Sequence, residues 1–129
     1  MLRASSGGGS GNHVDGDNLK MQNEEQIWQM VDAKKAEFIA LSDRVFETPE
    51  TLYNEYASVA EHMIMLKSEG FRVTEGICGM PTAVMGEAGD KGPVIAILGE
   101  FDALPELSQA AGVAEPSPIE AGGNGHGCG

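Results

Sequence analysis

The sequence is short of positive charge. Eight lysines and arginines stand against twenty aspartates and glutamates, giving a formal net charge of -12. A chain this acidic repels phosphate backbones and anionic bilayer surfaces, so neither nucleic acid nor a membrane is an expected partner. Cysteine is equally scarce: Cys78 and Cys128 are the only two, too few for a disulfide framework. No apolar segment of signal-peptide type follows Met1-Leu-Arg, and no run approaches the roughly 18 apolar residues of a membrane span. These absences point to a soluble protein of a reducing, cytoplasmic compartment. With 129 residues, the chain has room for one domain, and its 41% hydrophobic content is that of an ordinary globular protein.

Residues 1–22 are rich in Gly, Ser, Asn and Asp and have no periodicity, which predicts a disordered leader. From Asn23 onward, Ile27, Val31, Phe38, Leu41 and Val45 recur on one face of a helix, with Glu24 and Glu25 in its first turn. Trp28 and Met30 widen that apolar face as core residues. A second helix is predicted to open at Thr48 and Pro49, a capping residue followed by a proline suited to the first helical position. Leu52, Tyr56, Val59, Met63 and Leu66 then form its stripe, and Gly70 stops it, with Phe71 folding back on the last turn. His62 reads as a solvated histidine on the surface of this helix.

After Gly70 the pattern changes. Phe71-Arg-Val-Thr-Glu-Gly-Ile alternates apolar and polar residues, as a half-buried strand does, and Cys78 at its end reads as a small buried core residue. Pro81-Thr-Ala-Val-Met-Gly-Glu is a second short strand. Beyond a turn, Val94-Ile-Ala-Ile-Leu is a continuous apolar run, which predicts a central strand buried on both faces. Residues 105–129 read as a long Gly-, Pro- and Ala-rich loop, and loops of that length are usually functional. The order of helix, helix, strand, strand, strand and loop describes an α/β sheet that has begun but has no crossover helices, an incomplete domain.

Two clusters can carry chemistry. Gly99-Glu-Phe-Asp-Ala-Leu-Pro follows the apolar run, at the strand end where open α/β sheets bind ligands, and offers Glu100 and Asp102. Gly122-Gly-Asn-Gly-His-Gly-Cys-Gly offers His126 and Cys128, an imidazole and a thiol in a loop whose glycines can wrap closely around an ion. Two ligands alone do not make a metal site, and a flexible Gly-rich tail accounts for the same residues.

Together, Glu47-Thr-Pro-Glu-Thr, Ser68-Glu-Gly-Phe, Leu98-Gly-Glu-Phe-Asp-Ala-Leu-Pro and Gly125-His-Gly-Cys-Gly resemble the aminoacylase and carboxypeptidase G family of metallopeptidases. Within it, the chain is most similar to the branch of aminobenzoyl-glutamate and auxin-conjugate amidohydrolases. The resemblance covers residues 24–129. It implies that residues 23–129 are the N-terminal portion of a three-layer α/β sandwich catalytic domain, without the lid and dimerisation domain that the family inserts later. It also implies two divalent ions in each full-length protomer, zinc or manganese first, with cobalt or nickel admitted by the same donors. Cys128 matches the family's cysteine ligand, and the histidine that follows it in the family would come after Gly129. Asp102 matches an aspartate that supports the active site. Glu100 stands where other members carry a histidine ligand, and His126 lies beside the site as a neighbour or ligand. The implied activity is hydrolysis of an amide bond in a small N-acyl amino acid or peptide-like conjugate, by a homodimer or hetero-oligomer. The family's general base has no counterpart in this chain, so these residues alone are expected to be inactive and to bind metal weakly. The alternative is a truncated, non-catalytic product or an interaction module.

Overall fold

The structure, a computed structural model, describes residues 16–128, with side chains from Asn23 onward. Most of the predicted leader lies outside the described residues, but helix α1 spans Gly16–Phe46 and so begins before Asn23. The chain divides into two compact units, Met1–Ala36 and Glu37–Gly129. In the first, a helical segment is the one described element. Ile27, Trp28, Met30 and Val31 are exposed there, because a single helix offers no second apolar face to bury them. The core role expected of Trp28 and Met30 is thus not seen. In the second unit, Leu41 and Val45 of the same helix are buried, as their spacing predicts.

Helix α2 spans Tyr56–Ser68, so it starts later than Thr48 and Pro49 suggested. The reason is that its cap reaches in from outside. The Glu50 carboxylate accepts hydrogen bonds from the backbone N–H of Ala57 at 2.9 Å and of Ser58 at 2.8 Å, two first-turn donors that have no partner within the helix. Burial pushes the Glu50 carboxyl up. The two amides and the Ser58 hydroxyl outweigh that, and its pKa falls below its ordinary value of 4.5. The other end follows the sequence. Gly70, at φ 80°, donates to the Lys67 carbonyl at 3.1 Å, and Phe71 donates to the Leu66 carbonyl at 3.0 Å. These paired bonds form a Schellman motif, which needs a glycine at the left-handed position.

Strands β1 (Arg72–Glu75) and β2 (Val84–Glu87) pair antiparallel, with Arg72 opposite Glu87 and Glu75 opposite Val84. Gly86 is a close-approach position: a Cβ there would meet the Leu66 and Phe71 side chains, which lets α2 and its C-terminal turn lie against the hairpin. The 3-10 turn joining the strands holds Cys78 at φ 55°, between Gly76 and Gly79, and leaves its thiol exposed. Cys78 is therefore a turn residue rather than the buried residue expected at the strand's end.

The larger departure is at residues 94–98. They form no strand, and Val94, Ile95, Ile97 and Leu98 are between 84% and 96% exposed. A strand on both sides is what buries such a run, and the one sheet among the described residues contains only β1 and β2. The order of two helices followed by strands is as predicted and is that of an incomplete α/β domain. Its buried apolar residues, Leu41, Val45, Val59 and Ala103, make a small core.

Candidate functional site

The segment carrying Glu100 and Asp102 is held through its neighbours. Ala103, 1% exposed, donates its N–H to the Glu50 carbonyl at 2.7 Å and forms a parallel bridge with Thr51. Phe101 stacks on His62 of α2, with ring centroids 4.7 Å apart and planes 25° apart. Glu100, Phe101 and Asp102 all line a cavity of about 230 Å³ with Leu52, Tyr53, Glu55 and Thr82. Within its wall, Glu55, 5% exposed, accepts hydrogen bonds from the Thr82 hydroxyl at 2.6 Å and from the Tyr53 N–H at 2.8 Å. A buried carboxylate without a cation is tolerable only with such donors. Tyr53 sits at φ 63°, a costly conformation for a bulky residue, held here by that second bond.

The second cluster is fixed by a network through the loop. Leu104 and Gly125 exchange backbone hydrogen bonds, both at 3.0 Å. Ser108 donates to the Gly123 carbonyl at 3.0 Å, and Gly127 donates to that of Leu107 at 3.1 Å. Gln109 closes the intervening turn. Its amide nitrogen donates to the Glu115 carbonyl at 2.9 Å, and its amide oxygen accepts from the Ser117 N–H at 2.9 Å. Glycine is required where the two backbones meet: a Cβ at Gly125 would collide with the Leu107 carbonyl oxygen, and one at Gly127 would come within 2.8 Å of it.

The bridge between Leu104 and Gly125 brings the two motifs side by side along the backbone, yet their functional side chains diverge. His126 is half-buried against Phe46, with ring centroids 6.0 Å apart. It lines a separate cavity of about 570 Å³ with Glu106, Gln109 and Val113. Its Nε2 is buried and has no hydrogen-bond partner among the described residues. The Cys128 thiol is exposed. Among the described residues, no three His, Cys, Asp or Glu side chains gather closely enough to hold a metal ion. The donor set is thus not a complete metal centre, and Cys128 supplies at most one ligand to such a centre.

Sequence reasoning missed three residues. His62, read as solvated, is half-buried and stacked, and its Nδ1 donates to the Ser58 carbonyl at 2.8 Å. The four-residue spacing from Ser58 permitted that bond, but nothing local signalled the approach of Phe101. Glu50 and Glu55 had no local signal either, because their partners come from the next helix and from Thr82.

No family model matches the chain. Among curated proteins, it is similar to a component chain of the p-aminobenzoyl-glutamate hydrolase of Escherichia coli, with 41% identity over 110 residues, which is 81% of this chain and 23% of that protein. It is also similar to thermostable carboxypeptidase 2 of Saccharolobus solfataricus, with 37% identity over 78 residues, 57% of this chain and 20% of that protein. The chain spans less than a quarter of the length of either relative. At that level the resemblance carried by the motifs is borne out: the chain is related in sequence to a chain of an aminobenzoyl-glutamate hydrolase and, over a shorter stretch, to a carboxypeptidase.

Proposed function

We propose that residues 23–129 are the N-terminal portion of the catalytic domain of a metal-dependent hydrolase that cleaves amide bonds in N-acyl amino acids or peptide-like conjugates, p-aminobenzoyl-glutamate among them. The observation that carries the proposal is the 41% identity to the aminobenzoyl-glutamate hydrolase chain across 81% of this one. Asp102 supports the active site from the end of the 94–98 segment, and Glu100 shares its cavity wall. Cys128 is one metal ligand, and His126 lies close to it in the chain with an unmatched Nε2. The ions are zinc or manganese first, with cobalt or nickel also suited to mixed thiolate, imidazole and carboxylate donors. They polarise the amide carbonyl and acidify water when bound. Within this chain their hold is limited to the Cys128 thiolate, so the described residues alone are inactive.

No helix among the described residues is long and apolar enough to cross a membrane. We place the whole protein in the cytoplasm, as a homodimer or a hetero-oligomer. The name of one relative describes it as one chain of a hydrolase with lettered components, which favours an assembly of more than one chain. The test is release of p-aminobenzoate and glutamate from p-aminobenzoyl-glutamate, with a panel of N-acyl amino acids alongside, in zinc and in manganese. The whole protein is expected to turn over at least one of these amides, and the 129-residue chain none. A whole protein inert towards the entire panel in both metals contradicts the hydrolase reading.

A further inference from the structure

The stretch from residue 88 to residue 100 enters no backbone–backbone hydrogen bond among the described residues, yet Ala103 is almost fully buried. Something must fix the segment between them, where Glu100 and Asp102 stand. The structure offers two attachments, and both lead to the first turns of α2. One is the bond from the Ala103 N–H to the carbonyl of Glu50, the residue whose carboxylate caps α2 at Ala57 and Ser58. The other is the stack of Phe101 on His62.

The His62 ring is itself held. A carbonyl oxygen can only accept, so the 2.8 Å contact with the Ser58 carbonyl makes Nδ1 the protonated nitrogen and fixes the ring plane. Ser58 is 1% exposed, so this anchor sits in the most buried part of the helix. A ring fixed at its nitrogen and stacked at 4.7 Å can orient the partner ring, whereas a freely rotating side chain cannot. Phe101 lies between the two carboxylate residues in sequence. Its stack on His62 therefore fixes the middle residue of Glu100-Phe101-Asp102, three consecutive residues that line one cavity.

We propose that His62 is a positioning residue: through its stack on Phe101 it sets the orientation of Glu100 and Asp102 at the candidate site. This rests on the hydrolase reading for its consequence in catalysis, but not for the clamp itself. His62 acts on the two carboxylates only through Phe101.

The test compares the parent chain with His62→Ala, His62→Phe and Phe101→Leu by NMR. The parent should show ring-current shifts on the His62 and Phe101 ring protons and slow exchange of the Ala103 amide. His62→Ala should abolish the shifts and speed Ala103 exchange by roughly tenfold or more, while the Val59 amide inside α2 is unchanged. His62→Phe, which keeps a ring to stack, should recover most of the protection, and Phe101→Leu should behave like His62→Ala. In the whole protein, His62→Ala should lower kcat on p-aminobenzoyl-glutamate by roughly tenfold with KM nearly unchanged, since small misplacement of a catalytic group costs rate. His62→Phe should restore kcat. Absence of ring-current shifts in the parent, or unchanged Ala103 exchange in His62→Ala, overturns the proposal, as does a His62→Phe chain that recovers nothing. A whole protein without hydrolase activity overturns the functional reading instead, and the Ala103 exchange rates still decide for or against the clamp.

Discussion

Residues 94–98 and residues 103–127 differ most in how they are held. The first segment is five consecutive apolar residues with no backbone–backbone hydrogen bond among the described residues and with side chains almost wholly in solvent. The second is rich in glycine, proline and alanine, and it is tied at Ala103, Leu104, Ser108, Ala110, Gly123, Gly125 and Gly127 by backbone bonds and at Gln109 by its side chain. Hydrophobicity does not fix a strand unless neighbours supply its ladder and cover its faces. A loop low in apolar surface can be fixed if each buried backbone group finds a partner. Glycine contributes by letting two backbones approach, as at Gly125 and the Leu107 carbonyl, and not only by loosening the chain.

This contrast can be broken at defined points. The largest effect is expected for Gly125→Ala, which drives a methyl group into the Leu107 carbonyl in a place where only backbone could yield. Overpacking of this kind costs about 3 kcal/mol, read as a fall in the midpoint of urea unfolding together with loss of amide protection at Leu104. Gln109→Ala comes next. It leaves the Ser117 N–H and the Glu115 carbonyl without their partner, at about 1–2 kcal/mol. Limited proteolysis should then cut within residues 110–116 much faster than in the parent.

Glu50→Gln should cost about 1 kcal/mol near neutral pH, the usual worth of a helix cap. Its sign with pH is fixed. The folded carboxyl lies below its ordinary value of 4.5, so the stabilisation is complete above that value and is lost as pH falls through the folded one. The parent should therefore lose stability in acid below about pH 4.5 more steeply than Glu50→Gln does, as thermal melts from neutral pH into acid will show. The smallest effect is expected for Ile97→Lys. With Ile97 94% exposed, stability should change by less than about 0.5 kcal/mol while solubility improves. A loss of several kcal/mol would instead identify 94–98 as buried strand.

The parts of the fold that the sequence made legible are the locally determined ones. Gly70 and Phe71 announce the end of α2 because the Schellman motif is closed within a short stretch of chain, from Leu66 to Phe71. The hairpin of β1 and β2 follows from alternation, and the stripe on α1 named Leu41 and Val45 correctly. What failed depended on distant partners. The start of α2 is set by Glu50 reaching across a turn, so Thr48 and Pro49 misled. The propensity of 94–98 for a strand was readable, but the absence of a pairing strand among the described residues was not. At the candidate site, the motif containing Asp102 and the loop containing His126 were both visible, and the bridge from Leu104 to Gly125 joins them as neighbours. The separation of their side chains into two cavities, and the stack of His62 on Phe101, follow from packing that no local pattern records.

Residue-resolved amide hydrogen exchange on the 129-residue chain separates the two segments by how each is held. Slow exchange is expected at Leu104, Ser108, Ala110, Gly123, Gly125 and Gly127, whose amides donate to backbone carbonyls, and exchange at nearly the unfolded rate at Ile95, Ala96, Ile97 and Leu98. Protection of the apolar segment together with free exchange along the glycine-rich loop would contradict this expectation.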